Sequence, residues 1–237
     1  METFTAITSY VVESKEKIMK EINENIGDYK KRFDEMYELG YDLCWLDKQI
    51  PPEIKDYIQS LISDKLLDTK TSRVLDLGCG RGQLLRYLVQ EGFNQIIGVD
   101  VSDVAGQFAR QYTERSSIVI ADGIRGLPFK ADTFSLVTEL TVLSSLNPQH
   151  WPPILNEIYR VLDRGGFYIS EVFSREKSCD PNQPLVTKSI IPRELDQVYG
   201  ITTDELLDVF GKNFSIKRYQ PANPGPSDSF FILVQKL

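Results

Sequence analysis

Apolar residues recur at two different rhythms along this chain, and the change falls near residue 70. Before it, Ile18, Ile22, Ile26, Tyr29, Phe33 and Met36 follow at steps of three and four. That spacing puts them on one face of a helix, with Lys, Glu and Asp on the other. Gly27 weakens the stripe and Gly40 is a natural end to it. A second helix is predicted after Pro51-Pro52, since proline suits a first helical turn. Its apolar positions are Ile54, Tyr57, Ile58, Leu61 and Ile62.

From Ser72 onward short apolar runs alternate with helical stretches. Strands are predicted over Arg73–Leu77, Ile96–Asp100, Ile118–Ala121, Phe134–Glu139 and Phe167–Phe173. Helices are predicted through Leu84–Leu88, Ser102–Gln111 and Ile154–Leu162, the last ending before Gly165-Gly166. Thr202 with Glu205 three positions on reads as a capping box opening a further helix. Phe214–Tyr219 and Phe230–Gln235 alternate apolar and polar, as half-buried strands do, across the Pro/Gly-rich segment Pro221–Pro226. Strand–helix alternation predicts a Rossmann-like, doubly wound α/β fold whose sheet is mostly parallel. The two closing strands lack a helix between them, which predicts an antiparallel pair at one edge. The expected organisation is a helical lid or substrate region over residues 1–70 and a ligand-binding α/β domain over residues 71–237.

Composition narrows the class of protein. The chain has 237 residues and a net charge of −7, with 27 Lys and Arg against 34 Asp and Glu. That balance argues against a surface built to hold phosphate backbones, so no nucleic-acid partner is expected. One His and the scattered Cys44, Cys79 and Cys179 offer no paired ligand spacing, so no metal site is expected. An odd cysteine count fits a reducing, cytoplasmic compartment. The N-terminus lacks a basic stretch followed by an apolar run, so no signal peptide is expected. The longest apolar run, near Phe230 to Val234, is too short to cross a bilayer, so no membrane partner is expected.

In sheets of this kind ligands bind beyond the carboxyl ends of the strands, where the strand order reverses. The first such loop is Asp76-Leu77-Gly78-Cys79-Gly80-Arg81-Gly82. Its glycines let the backbone turn sharply and approach a ligand closely, and the helix start near Gln83 offers free N–H groups. Asp100 ends the second strand, about twenty residues later, where a carboxylate can accept two ribose hydroxyls. This suits an adenosine cofactor, but not the dinucleotide fingerprint, whose third glycine position is Gln83 here. The third loop carries Ala121-Asp122-Gly123-Ile124, in which an acidic side chain can take an adenine amine and Ile124 the ring.

With Arg160-Val161-Leu162-Asp163-Arg164-Gly165-Gly166, these loops resemble class I S-adenosylmethionine-dependent methyltransferases over roughly residues 71–237. The resemblance implies a seven-stranded sheet with an antiparallel terminal strand. It implies that Asp76, Gly78, Cys79 and Gly80 line the methionine part of S-adenosylmethionine and that Asp100 holds the ribose. It implies that Val101 flanks the adenine, that Asp122 and Gly123 hold the adenine edge, and that Glu139 sits near the methyl end. Tyr37-Glu38-Leu39-Gly40, Trp45, Pro51-Pro52-Glu53, Leu143–Pro148 and Gly200–Glu205 are similar to the thiopurine/thiol and tellurite-resistance methyltransferase group. Thr138-Glu139-Leu140-Thr141 departs from that group's pattern.

The activity implied is methyl transfer to a small-molecule acceptor through S, O or N, driven mainly by proximity. Transfer to a protein side chain, or a non-catalytic scaffold that binds cofactor and a protein partner, are the alternatives. Glu139 and His150 are the candidate bases, Tyr41 and Trp45 the candidate substrate contacts. The Ile18–Met36 stripe can serve as core, as lid or as a homodimer contact.

Overall fold

The computed structural model describes residues 29–38, 49–112, 116–175, 198–220 and 229–237. Ile18, Ile22, Ile26, Gly40, Tyr41, Cys44, Trp45, Cys179 and the Pro221–Pro226 segment lie outside them. The helices are α1 (Tyr29–Glu38), α2 (Pro52–Ser63), α3 (Gln83–Gln90), α4 (Asp103–Tyr112), α5 (Trp151–Val161) and α6 (Thr203–Gly211). The strands are β1 (Arg73–Leu77), β2 (Gln95–Asp100), β3 (Ser117–Ile120), β4 (Phe134–Leu140), β5 (Leu162–Ser174), β6 (Gly200–Ile201), β7 (Phe214–Gln220) and β8 (Ser229–Lys236).

The sheet runs in the order β3-β2-β1-β4-β5-β8-β7, with two-residue β6 paired to β5. Strands β3, β2, β1, β4 and β5 are mutually parallel. Strand β8 runs antiparallel between β5 and β7. The chain therefore steps outward from β1 to β3 and returns to the other side of β1. That reversal leaves a crevice between the carboxyl ends of β1 and β4.

Alternation along the strands sorts side chains to two faces. Leu75, Leu77, Val99, Val137, Tyr168 and Val172 face α5 and α6. Val74, Ile96, Leu136, Ile169 and Leu233 face α2 and α3. Helix α2 buries Ile54, Tyr57, Ile58 and Leu61 on that second face, at the spacing the sequence predicts. The Tyr57 hydroxyl donates to the carbonyl of Phe231 on β8, 3.3 Å away. Residues 52–63 of the expected N-terminal region thus pack into the core of the sheet itself. The predicted capping box opens α6: the Thr202 hydroxyl accepts from Glu205 N, and the Glu205 carboxylate accepts from Thr202 N.

One boundary differs from the sequence reading. Strand β5 begins at Leu162, directly after α5, and runs through Gly165-Gly166. Leu162 pairs with Phe134, and pairing resumes at Phe167 with Leu136. The intervening residues bulge outward, with Gly165 at a φ of +73° that only glycine adopts readily. The glycine pair is therefore a kink inside a strand and not the end of the helix, which stops at Val161.

Among the described residues no helix is long and apolar enough to cross a membrane, and no cluster of metal-ligating side chains occurs.

Candidate functional site

The loop after β1 is held open by its own backbone. The N–H groups of Gly78 and Cys79 both donate to the carbonyl of Val99, at 2.7 and 3.0 Å. Gly78 and Gly80 sit at φ of +68° and +52°. A Cβ on Gly78 would fall 2.2 Å from Val142 Cγ2, and one on Gly80 would fall 3.0 Å from the Tyr37 hydroxyl. Side chains here would fill the space between the loop, the turn after β4 and helix α1. Gly82 precedes α3 without a side-chain cap, leaving the helix N-terminus open.

Two buried carboxylates flank this loop. Asp76 accepts a hydrogen bond from Thr138 Oγ1 at 2.9 Å. Burial pushes its carboxyl up to about 7, against the Thr138 bond and with the charges of Asp100 and Glu139 adding to the rise. Asp100 accepts from Gly80 N through one oxygen and from Ser102 N through the other, both at 2.9 Å. Burial raises it to about 6 even so. Asp122 is less enclosed; it accepts from Ile124 N at 2.9 Å and pairs with Arg125 at 3.3 Å.

A single cavity spans these loops. Asp76, Gly78, Cys79, Gly80, Asp100, Val101, Asp122 and Gly123 all line it. Helix α1 roofs it with Tyr29, Phe33 and Tyr37, and Gln49, Ile50 and Pro51 close the side nearest α2. The roof is fastened at several points. Asp34 accepts from Ser102 Oγ at 2.6 Å and from Val104 N at 3.4 Å, next to the start of α4. Lys30 pairs with both Asp34 and Asp103 at 2.6 Å. Arg32 donates to the Ser145 carbonyl, and the Tyr29 hydroxyl accepts from Asn147 N.

Two candidate catalytic residues are not on this wall. Glu139 faces the interior under α5 and α6. One oxygen accepts from Val142 N at 2.7 Å and Leu143 N at 3.4 Å; the other accepts from the hydroxyls of Tyr168 and Ser170. Its carboxyl is raised to about 7 by burial, and its role is to hold the turn that follows β4. The reading of Glu139 as a cofactor contact or base is therefore corrected: its strand parity turns it away. His150 lies on the far side of Tyr29, their rings meeting edge to face at 5.5 Å, and does not line the cavity either. Tyr41 and Trp45 lie outside the described residues.

The sequence reading missed Gln49, Ile50, Arg81 and Glu171, all of which line the cavity. Tyr29 and Phe33 belong to the amphipathic stripe for which core, lid and dimer contact were open, and here they line the cavity. For Glu171 a signal existed: it lies in the fifth strand, one step out of phase with Tyr168 and Ser170.

Residues 74–166 match the family described as "Methyltransferase domain". The chain is 25% identical over 186 residues to a tRNA N(3)-methylcytidine methyltransferase of Schizosaccharomyces pombe, covering 73% of this chain and 58% of that protein. It is 32% identical over 139 residues to the mitochondrial arginine-hydroxylase NDUFAF5 of Homo sapiens, covering 54% of this chain and 38% of that protein. The chain thus spans well under two thirds of these relatives. In fold it matches a 1,6-didemethyltoxoflavin-N1-methyltransferase of Burkholderia thailandensis, crystallised with that compound and S-adenosylhomocysteine. The TM-score is 0.65 at 20% identity, over 90% of this chain and 89% of that one.

Proposed function

We propose that this protein transfers a methyl group to a small-molecule acceptor, since residues 74–166 match the family described as "Methyltransferase domain" and the fold is that of a methyltransferase crystallised with S-adenosylhomocysteine. The observation that carries the reading is the roofed cavity in which a Cβ-free loop meets the carboxylates of Asp76, Asp100 and Asp122. S-adenosylmethionine, when bound, supplies a methyl group already activated on a sulfonium.

The cavity suits that cofactor. Two of its carboxyls are pushed up by burial, so a ligand bringing positive charge relieves a cost already built into the wall. Asp76 with Gly78, Cys79 and Gly80 holds the methionine end. Asp100 accepts the ribose hydroxyls, with Val101 beside the adenine. Asp122 and Gly123 meet the adenine edge, where Asp122 already accepts from Ile124 N as an adenine amine would ask. Helix α1 acts as a lid that excludes water and keeps acceptor and methyl in line, so proximity supplies much of the rate.

A roof fastened both to the start of α4 and to the segment after β4 supports a small acceptor over a macromolecule, and the net charge of −7 supports the same choice against RNA. Relatives named for tRNA and for arginine chemistry make RNA and protein acceptors the controls. Calorimetry with S-adenosylhomocysteine tests the cofactor, with micromolar binding expected and absence of binding at millimolar concentration overturning it. Transfer of labelled methyl to small thiols, amines and phenols, against tRNA and cell protein, tests the acceptor class. Labelling confined to tRNA or protein overturns the small-molecule reading.

A further inference from the structure

We propose that Trp151 is a positioning residue for the lid: its indole N–H sets the turn after β4 to which helix α1 is fastened, and so governs how long the cofactor stays in the cavity. The inference rests on the methyl-transfer reading above and adds the means by which its cofactor is retained.

The turn comes first. Thr141, Val142, Ser145 and Leu146 line the cavity, and Leu143–Ser145 is a single turn of 3-10 helix. So short a helix closes few bonds of its own, and its remaining backbone groups need partners elsewhere. Glu139 accepts from the N–H groups of Val142 and Leu143. Tyr199 N donates to the Ser144 carbonyl at 2.6 Å. The lid takes two more groups. Arg32 donates to the Ser145 carbonyl at 3.2 Å, and Asn147 N donates to the Tyr29 hydroxyl at 3.1 Å.

Trp151 holds the same turn from the protein interior. Its indole N–H reaches the Leu143 carbonyl at 2.8 Å and the Leu146 carbonyl at 3.2 Å. The Leu146 carbonyl and the Asn147 N–H belong to one planar peptide unit, in which C=O and N–H point in opposite directions. That unit is therefore held between the indole on one side and the Tyr29 hydroxyl of α1 on the other. Tilting it breaks both bonds together, and a donor on its carbonyl strengthens the donor at its other end. The neighbouring peptide carries the Ser145 carbonyl that Arg32 uses, so both lid links on this side start from backbone that Trp151 orients.

Trp151 is well placed to be the fixed point. It is 6% exposed and belongs to the core under α5 and α6. The connection from the turn is short and stiff: His150 N donates to the Asn147 carbonyl at 2.8 Å, and Gln149 N to Asn147 Oδ1 at 3.1 Å. Trp151 itself does not line the cavity, so its influence passes through the Asn147 peptide to Tyr29. A residue that only filled space would need its rings and not its N–H. The indole N–H is thus the group to remove.

The test compares Trp151→Phe with Ile96→Val, a core substitution near the start of β2, and follows S-adenosylhomocysteine by stopped-flow. Trp151→Phe should bind at an association rate within about twofold of the unmodified protein and release about tenfold faster, the scale of one lost hydrogen bond. Ile96→Val should leave release unchanged. Tyr29→Phe removes the other end of the same relay, so the double variant Trp151→Phe/Tyr29→Phe should release no more than about twofold faster than the faster single variant, where independent effects would multiply. Unchanged release in Trp151→Phe, an equal increase in Ile96→Val, or multiplying effects overturns the assignment. If Trp151→Phe fails to fold, exchange of the Trp151 indole proton in the unmodified protein decides: it should slow severalfold on saturation with S-adenosylhomocysteine, and an unchanged rate overturns the role. Failure of the unmodified protein to bind S-adenosylhomocysteine would remove the underlying reading instead. The turn is then tested in ligand-free protein, where the Asn147 N–H should exchange about tenfold faster in Trp151→Phe than in Ile96→Val; equal exchange overturns the relay.

Discussion

The carboxyl edge of the sheet has two halves that treat acidic residues differently. Across β1, β2 and the loop after β3, Asp76, Asp100 and Asp122 all meet the cavity. Across β4 and β5 only Glu171 does, while Glu139 is turned inward and accepts four hydrogen bonds from protein groups. The two glutamates are close in the sheet and both fully enclosed, yet they stand on opposite faces of it. A carboxylate at a strand end is therefore not a ligand contact by position alone. The parity of the strand decides whether it builds the site or supports it.

Titration of stability gives the largest handle on this contrast. Asp76, Asp100 and Glu139 carry folded pKa values of about 7, 6 and 7, above their ordinary 3.8, 3.8 and 4.5. The folded state thus binds more protons than the unfolded chain between pH 4 and pH 7. Stability from these groups is fully present below about pH 4 and is lost as pH rises through about 7. The unfolding free energy of the ligand-free protein, read from urea titrations, should fall by roughly a few kcal/mol over that window. Saturating S-adenosylmethionine should flatten the share due to Asp76 and Asp100, and Glu139→Gln the share that ligand leaves untouched. A slope that ligand abolishes entirely would place Glu139 with the cavity after all.

Next in size is the inward glutamate itself. Glu139→Ala strands the N–H groups of Val142 and Leu143 and should destabilise by roughly 2–4 kcal/mol in urea unfolding. Glu139→Gln keeps an oxygen toward those N–H groups and turns its amide toward the Ser170 and Tyr168 hydroxyls, so it should cost under about 1 kcal/mol. Asp100→Ala should instead weaken S-adenosylhomocysteine binding by about 1.5–3 kcal/mol, roughly ten- to a hundredfold. If Glu139→Gln weakens binding as much as Asp100→Ala does, the division into wall and support fails.

How much of this was legible in the chain follows from what is local. The glycine loop, Asp100 and Asp122 are each read from a strand and the few residues after it, and a parallel sheet brings all such ends to one edge. Glu139 was placed near the methyl end by resemblance and by its position late in β4, and position along a strand does not say which face a side chain takes; its bonds to Tyr168 and Ser170 do. His150 looked useful as the sole imidazole, and only tertiary packing puts Tyr29 between it and the cavity. The α1 stripe showed an apolar face and left core, lid and dimer contact open, because spacing along one helix does not say which surface it packs on.

The smallest expected effect concerns the roof, which the same acid responds to in the opposite direction. Desolvation raises the Asp34 carboxyl, but hydrogen bonds from Lys30, Ser102 and Val104 N outweigh it and leave its pKa lowered. Its contribution is therefore present above the ordinary carboxylate range and lost as pH falls through the folded value. Asp34→Ala removes the link to Ser102 and Val104 while Arg32 and Tyr29 still hold α1 to Ser145 and Asn147. The expected loss is about 1 kcal/mol of stability, typical of a capping side chain on a partly exposed helix start. S-adenosylhomocysteine should leave severalfold faster, by stopped-flow displacement, because the side of the lid facing α4 now opens more readily. Unchanged release with lowered stability would mean that the Asp34 link fastens α1 to α4 but does not control the cavity, and opening would have to break the Arg32 and Tyr29 links instead.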